Sequence, residues 1–435
     1  MLSVKFPRMN SGGFSFYTHP FGGGSAFARE NKGANMDTTQ IIQNGEDYLL
    51  GNVRRIKNVF MRGEGPWLYD SERGKYLDFF AGIAVNALGQ AAPEIVEAVT
   101  TQIKKIGHVS NWYYNEPSVR LAKLLCEISF AQKVFLCNSG TEANEAALKL
   151  ARKFHRRAGQ DKYEIISFHR SFHGRTYGSL SATGNFHYHE GFEPMVFGFH
   201  FAHYNDLESV KKLVGDKTAA VIIELVQCEG GMYPADVEFV RGLRELTRDK
   251  NILLIVDEVQ PGVGRTGKMW AYEHYGIEPD VMTVAKALGG GLPIGAMLVT
   301  NRLKDALQPG DHASTFGGNP ICCAAAIATV ETIIMKNLVA TTAKYGDFMR
   351  EKLEDLRKKY PEIITDVRGM GFLQAIEVSV PSAEVLQACA RQGLLVGAAG
   401  SHVVRVTPPL IVTKADIELA MDKMDKALSE LRRPS

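Results

Sequence analysis

The feature that most constrains this chain is a series of apolar runs, each of strand length, between about residues 95 and 315. They fall at Lys133–Cys137, Glu164–Phe168, Ala219–Leu225, Ile252–Val256, Val281–Ala285 and Ala296–Thr300. Helical patterns separate most of them. Thr141–Arg157 places Ala143, Ala146, Ala147, Leu150, Ala151 and Phe154 on one face, and Val237–Asp249 is built the same way. A strand that is apolar at every position has no side to offer to water. Such strands, alternating with helices, predict a mostly parallel sheet covered on both faces, an α/β architecture.

Beyond about residue 320 the pattern changes. An alanine-rich helix (Ala324–Met335) leads into a helical stretch from Tyr345 to Tyr360, a strand-like run Asp366–Val378, a helix Ala383–Gln392 and a last helix Lys414–Leu431. This reads as a second, smaller α+β domain. Residues 50 to 80 read as short strands and loops, and a helix opens at Pro93. The expected organisation is a tail or targeting segment over 1–36, a segment 37–94 that joins the small domain and the rim of the site, a large domain over 95–320 and the small domain over 321–435.

A formal net charge of +2 supplies no field for nucleic acid or an anionic membrane. No apolar run reaches the roughly 18 residues of a membrane span; the longest, Ile321–Met335, is interrupted by Glu331 and reads as a buried helix. The six cysteines form no CxxC pair and suit neither a disulfide framework nor a zinc site. The first 29 residues carry Lys5, Arg8 and Arg29 and no acid. That composition fits an organellar transit peptide, which would place the protein in a matrix compartment, or an untargeted extension of a cytoplasmic protein.

Two apolar runs end in chemistry. Leu253–Val256 is followed by Asp257 and Glu258, and Val281–Ala285 by Lys286 and then, after Ala287 and Leu288, by Gly289, Gly290 and Gly291. Ligands of parallel sheets sit at the carboxyl ends of the strands. A lysine closing an apolar strand is poorly solvated, so its pKa falls and it becomes a competent amine nucleophile. One cofactor needs both groups. Pyridoxal phosphate takes a lysine for its Schiff base and an acid against its ring nitrogen. It also needs a phosphate cradle, and Asn138-Ser139-Gly140-Thr141-Glu142-Ala143 follows one strand and opens a helix. Taken alone, Ser139 or Thr141 could be a simple helix cap. Gly262-Val263-Gly264-Arg265-Thr266-Gly267 matches a dinucleotide fingerprint, but residues 257–261 separate it from the strand and no good helix starts there.

These residues, with their surroundings, resemble the class III aminotransferases of fold type I, from about residue 40 onward. Leu254 to Gly267, Lys286 to Gly291 and Ser139 to Asn144 carry the likeness. Ser110 to Pro117 and Ser314 to Pro320 are most similar to the acetylornithine and ornithine members. The resemblance implies a large domain with a seven-stranded sheet and a small domain built from both chain ends. It implies that Lys286 carries the cofactor and shuttles the proton, and that Asp257 pairs with the ring nitrogen. Gln260 would lie near the ring oxygen, with Glu258 beside it. Phe172 and Val259 would flank the ring. Ser139, Gly140 and Thr141 would bind the phosphate.

Thr315 would reach the phosphate of a neighbouring subunit's cofactor, so a homodimer with its active sites at the interface is expected. Arg175 and Ser314 fall on the substrate side. Glu229 would mask Arg405 while an ω-amine is bound and release it for the carboxylate of glutamate; a structural ion pair is the alternative. The implied reaction is a ping-pong transfer of the δ-amino group of N-acetylornithine or ornithine to 2-oxoglutarate. A 4-aminobutyrate donor, or a decarboxylase or aminomutase on the same scaffold, stays open. Glu224-Leu225, Cys228 and Gln90-Ala91-Ala92 depart from the family pattern. Ile83 stands where animal ornithine aminotransferases have a tyrosine, which favours N-acetylornithine or a broader specificity.

Overall fold

The computed structural model describes residues 36–53, 55–72 and 74–432. Residues 1–35, most of the segment read as a tail or targeting sequence, lie outside the described residues. The chain divides between Val59 and Phe60 into two units. In the first, a helix that the sequence reading did not foresee spans Thr38–Tyr48, started by a capping box between Asp37 and Gln40.

The second unit opens with a small sheet of β1 (Phe60–Glu64), β2 (Trp67–Asp70) and β3 (Lys75–Asp78), antiparallel neighbours in that order. The central sheet has seven strands. They are β4 (Lys133–Cys137), β5 (Glu164–Phe168), β6 (Phe199–Ala202), β7 (Thr218–Ile223), β10 (Leu253–Asp257), β11 (Val281–Val284) and β12 (Gly295–Val299). A short hairpin, β8 (Val226–Gln227) and β9 (Tyr233–Pro234), lies between β7 and β10 in the chain. The spatial order is β4-β12-β11-β10-β7-β5-β6. Its strands run parallel except β12, which is antiparallel to both β11 and β4. Alternate residues serve two cores. Leu254, Val256, Met282 and Leu298 join one, and Leu253, Ile255, Val281 and Met297 the other, so the sheet is covered on both faces.

The apolar run at Ile321–Met335 is part of a helix, Pro320–Met335, whose start is fixed by Asn319 bonding Ile321 N–H and Cys322 N–H. It begins four residues earlier than the alanine pattern suggests because Pro320 occupies its first turn. The next helix, Leu338–Lys359, likewise starts before Tyr345. No single described helix is long and apolar enough to cross a membrane. The strand-like run Asp366–Val378 is two strands, β13 (Ile364–Met370) and β14 (Leu373–Val378), folded back on each other at Gly371. After the helix Ser382–Arg391 come β15 (Leu394–Leu395), β16 (Gly397–Ala398) and β17 (Val403–Val406). β15 completes the first small sheet beside β3, and a third sheet has the order β13-β14-β17-β16. The last helix, Lys414–Leu431, starts on a capping box between Thr413 and Asp416.

Candidate active site

Because only β12 is reversed, β4, β5, β7, β10 and β11 all end at one edge of the sheet. Asp257 closes β10, Lys286 follows β11, and the helix Gly140–Arg157 opens just after β4. A cavity of about 410 Å3 lies at this edge. Asp257 and Lys286 line it, and Phe172, Val259 and Gln260 contribute to its walls.

Asp257 is buried and both its oxygens are held. Oδ2 accepts from Asn144 Nδ2 (2.8 Å) and His173 Nδ1 (2.8 Å), and Oδ1 accepts from the Val259 N–H (3.0 Å). Asn144 is itself fixed, bonding the His173 carbonyl (2.7 Å) and accepting from Thr283 Oγ1 (2.7 Å) on the neighbouring strand. A carboxylate that is desolvated but tied by three donors keeps one orientation.

Lys286 has a backbone φ of +42°, a left-handed conformation rare outside glycine. Burial holds its amine below the usual lysine range, opposed chiefly by the nearby Glu229 carboxylate. Glu224, on the same cavity, accepts from the Phe172 N–H (2.9 Å), and burial pushes its carboxyl well above the usual range.

Glu229 and Arg405 form the ion pair that the sequence pairs: Arg405 Nη1 donates to Glu229 Oε1 at 2.5 Å, with the arginine side chain 6% exposed. Burial raises the Glu229 carboxyl, but Arg405 and Lys286 outweigh it and hold the group below its ordinary value.

The opening of the helix Gly140–Arg157 lines the cavity with Ser139, Gly140 and Thr141. A Cβ on Gly140 would come within 2.5 Å of Val259, so the helix N-terminus and the Val259 wall meet only through glycine. Arg175 is exposed at the cavity, its guanidinium 4.0 Å from the Tyr188 ring and 5.2 Å from the Phe172 ring. Not every expected residue faces this space. Glu258 points elsewhere: its carboxylate accepts from the Ala271 and Tyr272 N–H groups at 2.9 Å each, and burial pushes its pKa up to about 8. Successive side chains at a strand end diverge, so Asp257 and Glu258 cannot both face one ligand.

Ser314 bonds Asn138 (2.8 Å) and Glu142 (3.2 Å) beside the helix start. Thr315 is exposed and does not line the cavity of this subunit.

Asn144, His173 and Glu224 are site residues that the sequence reading did not assign. Asn144 closes one of the stretches that carry the resemblance, and His173 directly follows Phe172. Only the fold reveals that both converge on Asp257, since Asn144 reaches it from one turn into a helix and His173 from a loop after β5. Among the described residues no cluster of His, Cys, Asp and Glu suits a metal ion.

Comparison with known proteins bears on the family and the fold. The pattern of the family "Aminotransferase class-III" matches residues 50–428. An acetylornithine aminotransferase of Caldanaerobacter subterraneus is 45% identical, covering 88% of this chain and 98% of the relative. One of Methanocaldococcus jannaschii is also 45% identical, covering 89% and 97%. Among solved structures, the ornithine aminotransferase of Toxoplasma gondii superposes with a TM-score of 0.88 at 29% identity, covering 92% of this chain and 97% of that one. The acetylornithine aminotransferase of Elizabethkingia anophelis does so at 0.82 and 31%, covering 91% and 100%. With a strand-end acid and a strand-end lysine on one cavity, and a family pattern spanning nearly all of the second unit, this chain belongs to the class-III aminotransferases.

Proposed function

We propose that this protein moves the δ-amino group of N-acetylornithine or ornithine to 2-oxoglutarate in two half-reactions, using pyridoxal phosphate. The observation that carries the reading is the convergence of Asp257 and Lys286 on one cavity, with an arginine masked by Glu229 close by. Support for the cofactor comes from the donor set. Asp257 is a fixed, desolvated carboxylate suited to a cationic ring nitrogen. The side-chain oxygen of Gln260 is buried without a partner, which suits an amide waiting for a polar ligand.

Ser139, Gly140 and Thr141, at the N-terminus of a long helix, would take the phosphate. Phe172 and Val259 would enclose the ring, and Lys286 would hold the group covalently. When bound, pyridoxal phosphate supplies the electron sink for the carbanion at the substrate's reacting carbon.

The chain's own residues would divide the remaining work. Burial keeps a larger share of the Lys286 amine neutral than water would, so it can take a proton from the substrate carbon and return it. Arg175 would take the carboxylate at the far end of the donor. With the donor bound, Arg405 stays paired to Glu229. When glutamate enters, Glu229 rotates away and Arg405 binds the α-carboxylate bidentately. The names of the similar proteins and the isoleucine at position 83 favour N-acetylornithine as donor.

The working form we propose is a homodimer. The loops 107–115 and 311–319 are tied together by Asn115 to Gly318 (3.3 Å), Asn319 to Gly107 (3.1 Å) and an Asn111–Ser314 hydrogen bond. They leave Trp112, Tyr113, Tyr114 and Phe316 exposed. A second copy would cover this aromatic surface, and Thr315 beside it would reach the partner's phosphate site.

The test is a set of single-turnover half-reactions on holoenzyme with N-acetylornithine, ornithine and 4-aminobutyrate, followed by cofactor absorbance and then by recovery with 2-oxoglutarate. Fast loss of the absorbance band with N-acetylornithine, restored by 2-oxoglutarate, is expected. A faster reaction with 4-aminobutyrate would overturn the donor. Release of carbon dioxide without recovery would overturn amino transfer.

A further inference from the structure

Glu229 sits on the loop Cys228–Met232 that joins β8 to β9. Two features fix this loop's backbone. Met232 N–H bonds the Gln227 carbonyl at 2.9 Å, closing the hairpin. Arg368, on β13, then reaches across and donates from Nε to the Gly231 carbonyl at 2.6 Å, while its guanidinium lies 4.0 Å from the Tyr233 ring. Gly231 has a φ of +118°, and a Cβ there would come within 2.9 Å of Tyr233 and 3.2 Å of Arg368, so the contact is tight enough to require glycine.

The register of the third sheet relates this clamp to Arg405. Arg368 pairs with Ala375, and Ala375 pairs with Arg405. Residues opposite one another on neighbouring strands share a face. The two arginines therefore leave the same face of one sheet, two strands apart, and both end on the same loop: one on the Glu229 carboxylate, the other on the backbone two residues further on. Their charges are used differently. Arg368 is paired with Asp366 (2.7 Å) and Glu377 (2.6 Å), so it does not draw the Glu229 carboxylate. Among the described ion pairs Arg405 has only Glu229.

We infer that Arg368 is a positioning residue for the Glu229–Arg405 mask, because it locks the backbone of the loop carrying Glu229 to the sheet face carrying Arg405. Unmasking is then confined to rotation of the Glu229 side chain. This inference rests on the masked-arginine reading above. Loosening the clamp lets the carboxylate drift from Arg405, which favours glutamate over the ω-amine donor.

The experiment compares holoenzyme variants Arg368→Met, Arg368→Lys and Glu229→Gln with Arg244→Met, which breaks a buried Arg244–Asp280 pair (2.7 Å) outside the site. For each, single-turnover rates are measured with glutamate and with N-acetylornithine, together with the melting temperature. Arg368→Met should raise the ratio of the glutamate rate to the donor rate by about tenfold, the low end of the equilibrium shift expected from losing one charge-assisted hydrogen bond. Arg368→Lys, which keeps one donor, should fall between, and Arg244→Met should lose stability without moving the ratio. If Arg368→Met does not fold, Tyr233→Leu removes the stacking partner and should move the ratio the same way. A ratio unchanged in the Arg368 and Tyr233 variants but shifted by Glu229→Gln would overturn the positioning role alone. A ratio unmoved by Glu229→Gln would overturn the mask, and the positioning role with it.

Discussion

Replacing Asp257 by asparagine preserves shape and removes one buried charge. The structure sets the size of the effect. Oδ2 receives two donors and Oδ1 receives one, so the new amide nitrogen must face at least one N–H group that the carboxylate accepted. The least costly orientation puts it at the Oδ1 position and forfeits the Val259 hydrogen bond. Leaving such a donor unpaired costs about 1–3 kcal/mol, partly offset by no longer burying a charge. The loss of rate should be larger. Removing one preorganised polar group that stabilises developing charge costs about 10²- to 10³-fold, or about 3–4 kcal/mol.

Asn144→Ala removes one of the two Oδ2 donors and leaves the charge, so it should cost about tenfold. Cofactor loading and single-turnover rates with glutamate, measured beside the melting temperature, separate the two quantities. Asp257→Asn that loads cofactor fully and reacts within a few-fold of wild type would refute the assignment of Asp257 to the ring nitrogen.

Glu258 has a folded pKa of about 8 against an ordinary 4.5, so between those values the native state holds a proton that the unfolded chain releases, and stability falls as pH rises. Glu258→Gln has no such slope; its unfolding free energy relative to wild type, measured by denaturant titration, should climb from pH 5 to 8 by up to ~1.4 kcal/mol per pH unit, and a constant difference would show that Glu258 does not titrate there. Gly174→Ala, at φ +139°, would drive a Cβ into the Thr141 hydroxyl and should weaken pyridoxal phosphate binding to the apoenzyme by about tenfold, read by fluorescence titration. Trp112→Asp should weaken the dimer by more than about thirtyfold, as expected for a central aromatic anchor, and an unchanged mass by light scattering across a dilution series would place the interface elsewhere.

The sheet was legible because its strands are buried on both faces and so carry unbroken apolar runs. β6 was not, since Phe199–Ala202 is an edge strand with His200 in its middle, too short and too mixed to stand out. The run Asp366–Val378 kept its strand character in sequence but hid its reversal, because the turn at Gly371 is flanked by Met370 and Phe372, both apolar. Asp257 and Lys286 were legible as charges that end apolar strands. Their supports were not. Asn144 and His173 converge on Asp257 from positions 113 and 84 residues away in the chain, and no local pattern encodes that meeting. The Glu258 carboxylate was misplaced for a simpler reason: adjacency to Asp257 in the chain suggests a shared target that strand geometry forbids.

The reversed direction of β12 has a consequence for how the chain tolerates change in length. β11 ends at Val284 and β12 begins at Gly295, and the two are hydrogen-bonded neighbours, with Val284 opposite Ala296. The link bearing Lys286 therefore leaves and re-enters the sheet at the same edge, where a parallel neighbour would have demanded a long crossover to the far edge. Both ends are anchored beside each other, so the reach of Lys286 is set by a short closed span. The residues between, from Ala285 to Ile294, include a lysine held at φ +42° and glycines at +55° and +118°. A single inserted residue here has no slack to absorb it and would turn the amine out of register with Asp257. Insertions between the helix Val237–Asp249 and β10, at the opposite edge, would leave that register untouched. A scan of one-residue insertions, scored by covalent capture of pyridoxal phosphate, should show intolerance across 285–294 and tolerance near Lys250 and Asn251.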